Sequence, residues 1–250
     1  MNANVSYAIE FDGVSFRRQE HLLLDGVSIR LDEPRIAIVG PNGAGKTTFA
    51  RLANGLLTPT QGEVRVGGVS TAKEPRNARR KVALVFQDPD TQIVMPTVEE
   101  DLAFGLLNIG VPKREATQRA AAWLHRHGLG AKRDAPAHLL SGGEKKLLSI
   151  LSVLIMEPQT VIFDEPFTFL DLATQRQIAA LIDGLACNVI VITHDLEYAQ
   201  RFDRALYFDG GSIREDGPAR AVIAAYRRDV DACSPSTSPA TRDCIAPVPA

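Results

Sequence analysis

Eight residues, Gly40-Pro41-Asn42-Gly43-Ala44-Gly45-Lys46-Thr47, stand between an apolar β-branched run, Arg35 to Val39, and a helical pattern from Lys46 to Leu57. A strand, a glycine-rich turn and a helix in that order belong where a buried strand feeds a helix packed on the face of its own sheet. The spacing G-x-x-x-x-G-K-[ST] adds a chemical demand. Glycines let the backbone wrap an anion so that its N–H groups point inwards, and the helix N-terminus contributes partial positive charge. Lys46 then reaches the β- and γ-phosphates of a nucleotide, and the Thr47 hydroxyl ligates Mg²⁺. The plain alternative is a glycine-rich turn that holds nothing. Composition alone yields the pattern in roughly one chain in a hundred of this length, before the flanking elements are counted.

A second segment supplies what such a loop needs. Thr160-Val161-Ile162-Phe163 is an apolar strand ending in Asp164-Glu165-Pro166. Asp164 is placed to hold the Mg²⁺ shell, and Glu165 to orient and deprotonate a water. Two acids after a strand are by themselves more often a solvated turn, and it is the pairing with Gly40 to Thr47 that favours catalysis. His194, after the apolar run Asn188 to Thr193, would contact a γ-phosphate. The other four histidines are read as structural or surface residues. Gln87 ends the run Lys81 to Phe86 and would complete the metal shell; an isolated Gln there is ordinarily a loop hydrogen-bonder. Phe16, after the first strand, would stack on adenine, or fill the core.

The remaining pattern is that of an α/β chain. Glu63 to Val66 alternates as an exposed antiparallel strand does, and Arg204 to Phe208 with Ser212 to Glu215 reads as a hairpin across Asp209-Gly210-Gly211. Between Thr97 and Met156 the strand signal vanishes. A capping box at Thr97 and Glu100, a helical stretch from Lys113 to His127 stopped by Gly128, and a third helix starting at Ser141 make residues 97–156 an inserted helical subdomain. Residues 1–231 form the folded domain. Ala232 to Ala250, with four Pro, three Ser and two Thr, is expected to be a disordered tail.

Composition excludes other classes. With 28 Lys and Arg against 30 Asp and Glu, the formal charge of −2 offers no basic field for nucleic acid. Met1 to Val14 has no secretory pattern, and Leu147 to Met156 is too short to span a bilayer. Three cysteines, with Cys187 beside an apolar strand, fit a reducing compartment. The expectation is a cytoplasmic protein that reaches a membrane only through a partner.

Leu140-Ser141-Gly142-Gly143-Glu144 discriminates most sharply. Ser141 and Glu144 make a capping box, but two glycines directly after the cap cost about 1 kcal/mol each relative to Ala. Glycines there expose N–H groups at a positive helix end, which is a second anion site. One nucleotide can use both sites if they come from different subunits.

With these segments in order, the chain resembles the ATP-binding subunits of ABC transporters over about residues 8 to 230. The correspondences are Phe16 for the adenine loop, Gly40 to Thr48 for the phosphate loop, and Gln87 for the segment that senses the γ-phosphate. Leu140 to Glu144 match the signature, Thr160 to Glu165 the strand with the paired acids, Leu170-Asp171 the loop that follows, and His194 the switch. The resemblance implies a P-loop NTPase core with a mixed, largely parallel sheet, an antiparallel β subdomain and an inserted α-helical subdomain. It implies ATP contacts from Phe16, Gly40, Pro41, Asn42, Gly43, Ala44, Gly45, Lys46, Thr47, Thr48, Gln87, Ser141, Gly142, Gly143, Glu144 and Asp171. It implies metal contacts from Thr47, Gln87 and Asp164, and catalysis by Glu165, His194 and Lys46. Two ATPs would be held in a head-to-tail homodimer or heterodimer of ATPase subunits.

Phe86 to Val94 and Thr97 to Gly105 are similar to the ATPases of energy-coupling-factor (ECF) importers for vitamins and transition-metal ions. Gly143-Glu144-Lys145-Lys146-Leu147-Leu148 and the short C-terminus are most similar to the biotin system. That group implies an integral membrane coupling subunit, a substrate-binding membrane subunit, and a peripheral place on the cytoplasmic face of the cell membrane. Cobalt, nickel or another vitamin is the alternative cargo, and a soluble ABC ATPase acting on DNA or ribosomes the rival from another class. Only one phosphate-loop match and no sustained heptads weigh against that rival. Departures from the family are Phe16 for Tyr, Glu144 for Gln, Lys146-Leu147 for a Gln-Arg pair and Phe167 for a small polar residue.

Overall fold

The computed structural model describes residues 8–233. The chain opens with β1 (Ile9–Arg18) and β2 (His21–Leu31), then β3 (Arg35–Val39), which leads through the glycine-rich loop into α1 (Lys46–Ala53). Next come β4 (Gln61–Val66), β5 (Val69–Ser70), α2 (Pro75–Lys81) and β6 (Val82–Val85). A helical stretch follows: α3 (Val98–Asn108), α4 (Lys113–Arg126) and α5 (Gly142–Leu154). The chain returns to the sheet with β7 (Thr160–Asp164), α6 (Leu172–Asp183), β8 (Asn188–Ile192) and α7 (Leu196–Ala199). It finishes with β9 (Arg204–Asp209), β10 (Ser212–Pro218) and α8 (Ala219–Cys233).

Two sheets result. The larger has the order β10-β9-β3-β8-β7-β6, parallel throughout except for the β9–β10 hairpin; the smaller, β2-β1-β4-β5, is antiparallel. The mixed, largely parallel core and the antiparallel β layer are those expected from the sequence.

The central strands are covered on both faces, so their apolar runs divide between two cores by the period-2 rule. Ile36, Ile38, Val82, Leu84, Ile162, Ile190 and Ile192 face α1 and the antiparallel sheet, where Phe11 stacks on Phe49 at 4.2 Å. Ala37, Val39, Ala83, Val85, Val161, Phe163, Val189 and Val191 face the opposite layer, which holds α6, α7 and α8. A third cluster joins α3, α4 and α5 through Leu102, Leu106, Leu124, Leu148 and Leu151. Helix α5 serves two cores at once, since Ile150, Val153 and Leu154 pack on the sheet. The helical block is therefore bolted to the α/β core by one of its own helices.

Some boundaries differ from the sequence reading. Helix α1 stops at Ala53, not Leu57, because the Leu56 and Leu57 amides both turn back to the Arg51 carbonyl at 2.9 and 3.0 Å. Phe16 lies within β1, paired with Leu24, and packs partly buried against the first core. Phe167 likewise has a packing role, edge-on to Tyr198 at 4.8 Å. Helix α8 continues through Cys233, so the first two residues of the expected tail are helical; the rest of that expectation lies outside the described residues.

Candidate active site

Four neighbouring parallel strands, β3, β8, β7 and β6, end at one edge of the sheet, and the residues just past each carboxyl end converge there. Such an edge is where open α/β sheets place ligands. A cavity of about 370 Å³ is lined by Asn42 to Thr48 after β3, Gln87 after β6, Asp164 and Glu165 at the end of β7, and His194 after β8. These residues span more than 150 positions of sequence, and only strand order brings them together.

The loop itself is set by two glycines at which a side chain would collide with neighbouring backbone. Gly40 has φ +143°, and a Cβ there would sit 2.1 Å from the Phe208 carbonyl oxygen. Gly45 caps α1 at φ +98°, and a Cβ would meet the Leu23 carbonyl at 2.6 Å. The loop is thereby pressed onto the two sheets while its other side faces the cavity. Lys46 Nζ donates to the Gly40 and Pro41 carbonyls at 2.6 and 2.8 Å, and its side chain is buried. Burial lowers its pKa from the ordinary value, opposed by the Glu165 and Asp164 carboxylates.

Asp164 is buried at the end of β7, and burial raises its pKa against the opposing Thr47 hydroxyl and the Arg51, Lys146 and Lys46 cations. Glu165 adopts φ +49°, in the left-handed region, with its amide donating to the Ile192 carbonyl at 3.0 Å. Burial first, then the Asp164 charge, push its carboxyl up to about 7, against the opposing His194 N–H and the Lys46 and Lys146 cations. The His194 backbone N–H reaches Glu165 Oε2 at 3.4 Å. His194 Nε2 lies 3.0 Å from Asn42 Oδ1 and 3.2 Å from Glu165 Oε1. One imidazole proton cannot serve both acceptors. With that proton donated to Asn42 Oδ1, Glu165 Oε1 is a buried acceptor without a donor. Burial and the Lys46 charge both lower the pKa of His194, which favours the neutral ring.

Other expected residues lie elsewhere. Phe16 is in β1 and does not line the cavity. Ser141 to Glu144 begin α5 with a complete capping box, and Glu144 also pairs with Lys132; none of the four lines the cavity. The two glycines of that segment differ. A Cβ on Gly143 would meet the Thr174 methyl at 2.9 Å, so close helix packing explains it within this chain, whereas Gly142 has open space around it. Asp171 caps α6, accepting from the Ala173 and Thr174 amides at 2.9 and 3.0 Å.

Leu23, Thr168 and Ile192 also line the cavity, and no local sequence signal marks them. Lys146 is the other residue missed as a participant. It is 1% exposed, and burial draws its ammonium down to about 8 against the Asp164, Glu165 and Asp88 charges. Following Glu144 and Lys145, it reads locally as one more charge on a polar first turn, and nothing in the sequence marks it as buried.

A glycine-rich loop opening a helix, with a hydroxyl, a buried carboxylate and a neighbouring acid of raised pKa on one cavity, is the arrangement of a P-loop nucleotide hydrolase. The profile of the ABC transporter family matches residues 24–168. A putative ABC transporter ATP-binding protein of Deinococcus radiodurans is 48% identical over 219 residues, 88% of this chain and 97% of that protein. The biotin transport ATP-binding protein BioM of Rhodobacter capsulatus is 43% identical, covering 88% of this chain and 94% of BioM. The cobalt import ATP-binding protein CbiO of Syntrophus aciditrophicus is 41% identical, over 81% and 75%. Among solved structures, cbiO1 of Clostridium perfringens, part of the ABC transporter complex cbiONQ, superposes with a TM-score of 0.75 at 28% identity, covering 92% of this chain and 96% of that one. The chain belongs to the ATP-binding subunits of the ABC transporter family and is an ATPase.

Proposed function

We propose that this chain is the ATP-hydrolysing subunit of an ECF-type importer for a vitamin or metal ion, with biotin the favoured cargo. The convergence of Lys46, Thr47, Gln87, Asp164, Glu165 and His194 on one cavity carries the catalytic part of this reading. The ECF part rests on the relatives named for biotin and cobalt import, and biotin on BioM together with the Gly143 to Leu148 segment. Cobalt, nickel or another vitamin is the second reading, supported by CbiO.

In this mechanism the loop amides from Gly43 to Thr48 and the Lys46 ammonium hold the ATP phosphates. Transfer of Lys46 Nζ from two carbonyls to phosphate oxygens exchanges neutral acceptors for charged ones, which strengthens the bond. Thr47, Asp164 and Gln87 form an all-oxygen donor set with a single carboxylate, which suits Mg²⁺, an ion that keeps several waters and phosphate oxygens in its shell. When bound, that ion neutralises charge on the transferring phosphoryl group. Glu165 takes the proton from the attacking water at Oε1, and a pKa near 7 places it where a general base works at neutral pH. His194, fixed by Asn42, orients the γ-phosphate.

The second face of the nucleotide comes from Ser141, Gly142, Gly143 and Glu144 of another ATPase subunit, a copy or a close relative, with Asp171 beside it. The unfilled space around Gly142 and the distance of this helix start from its own cavity support that assignment. Phe16 stacks on adenine. Among the described residues no helix is long and apolar enough to cross a membrane. Anchorage on the cytoplasmic face would come from the integral membrane coupling subunit, with a second membrane subunit binding cargo. Exposed Val94, Phe104 and Leu107, between Gln87 and the end of α3, provide apolar area for a coupling helix. Reconstitution with the candidate membrane subunits and labelled biotin tests the proposal. ATP-dependent uptake supports it; ATP hydrolysis without biotin uptake, alongside cobalt or nickel uptake, replaces biotin with the metal.

A further inference from the structure

Gln87 lines the cavity from outside the sheet. Strand β6 ends at Val85, and Gln87 lies two residues beyond. What holds it is helix α5. Lys146, in the second turn of α5, sends its ammonium to the Phe86 and Gln87 carbonyls, both at 2.9 Å. A second tie runs in parallel. The Gln92 side chain accepts from the Phe86 N–H at 2.9 Å and donates to the Ser149 carbonyl of the same helix at 2.6 Å. An amide and two carbonyls that have left the sheet ladder are thus recovered by side chains that either belong to α5 or bond to it.

A buried ammonium is costly to keep unless its position is used, because an apolar residue of the same length would pack there without desolvation. We propose that Lys146, with Gln92 as the second point of attachment, is a positioning residue that fixes Gln87 over the phosphate cavity. The clamp ties Gln87 to the helix that begins with Ser141. The inference rests on the ATP-site reading above, with Gln87 as a ligand-facing residue, but the two fail separately.

The test uses the full chain and a fluorescent ATP analogue, titrated with Mg²⁺ and with EDTA, together with steady-state hydrolysis. The parent must bind the analogue and turn over; if it does neither, the ATP-site reading itself falls. K146M removes the donor and keeps an apolar side chain of similar length. It is expected to bind the analogue in EDTA within twofold of the parent, lose at least fivefold of the Mg²⁺-dependent gain, and drop at least tenfold in kcat with KM within threefold. K146Q, which keeps an amide NH₂ as donor, should recover part of that gain. Amide exchange should quicken at residues 86–92 and remain unchanged in β3 and α1. Should K146M fail to fold, Q92L, which cuts the second tie and leaves Lys146 in place, must weaken the Mg²⁺-dependent gain in the same direction. An unaltered gain in whichever variant folds overturns the proposal. So does an equal loss with and without Mg²⁺ accompanied by faster exchange throughout the sheet, which would reduce Lys146 to a general packing element.

Discussion

Replacing Glu165 by Gln separates two consequences of one buried carboxyl. Gln is isosteric, and Glu165 Oε2 has only the His194 N–H at 3.4 Å to satisfy, which an amide carbonyl also accepts. The variant therefore folds, but its side chain cannot take a proton from water. General-base catalysis contributes typically ~10²–10⁴-fold, so kcat should fall by that factor, or about 3–5 kcal/mol of barrier. ATP binding should persist, because one negative charge has left the surroundings of a triphosphate. The second consequence concerns stability. Unfolded, the carboxyl titrates near 4.5; folded, burial pushes it up to about 7. Between those values the folded state binds the extra proton, so this group's contribution to folding stability is fully present below pH 4.5 and is lost as pH rises through 7. The full displacement corresponds to ~3 kcal/mol, and solvent access at the cavity mouth reduces this to about 1–2 kcal/mol. Urea unfolding without nucleotide or metal, at pH 5 and pH 8, should show the parent losing that much more stability than E165Q. Phosphate release and size-exclusion elution with Mg²⁺ and ATP complete the assay, the variant accumulating as the paired form. Turnover within threefold of the parent would remove Glu165 from the role of base. An equal pH dependence in the two proteins would refute the argument from burial.

Lys46→Ala should weaken ATP binding by at least about 100-fold while cooperative unfolding persists, since a charge-assisted phosphate contact is lost; equilibrium dialysis reads this directly. Gly40→Ala drives a Cβ to 2.1 Å from the Phe208 carbonyl and should cost on the order of 3 kcal/mol in urea unfolding. A cost below about 1 kcal/mol would mean that the loop does not press on β9 as described. The adjacent glycines of α5 should part company: Gly143→Ala, which crowds Thr174, should lose about 1–2 kcal/mol of nucleotide-free stability. Gly142→Ala, with open space around it, should hold or raise that stability by up to about 1 kcal/mol and weaken ATP-driven pairing, as measured by light scattering.

The local chemistry was legible from residue order alone. Gly40 to Thr47 announces its turn because backbone geometry and phosphate chemistry both demand glycine there, and the strands Arg35 to Val39 and Asn188 to Thr193 announce themselves by unbroken apolarity. Capping boxes at Thr97 and Ser141 are likewise local, each closing within four residues, and both occur where expected. Phe16 was not resolvable in this way, since a strand-borne aromatic carries the same letter whether it faces ATP or packs against the core.

Relations between distant segments came from the fold alone. The glycine pair at 142–143 looked like a single anion-binding device, yet one member is explained by Thr174, thirty-one positions on, and only the other is left free. The raised pKa of Glu165, its bare Oε1 and the clamp from Lys146 to Gln87 depend on burial and on strand order β3-β8-β7-β6. Desolvation and hydrogen bonding act through space over a few ångströms, whereas sequence pattern records only neighbours along the chain. Residue order thus picks out Lys46, Thr47, Gln87, Asp164, Glu165 and His194, which the fold gathers at one cavity, but it carries no record of their burial or of the hydrogen bonds around them.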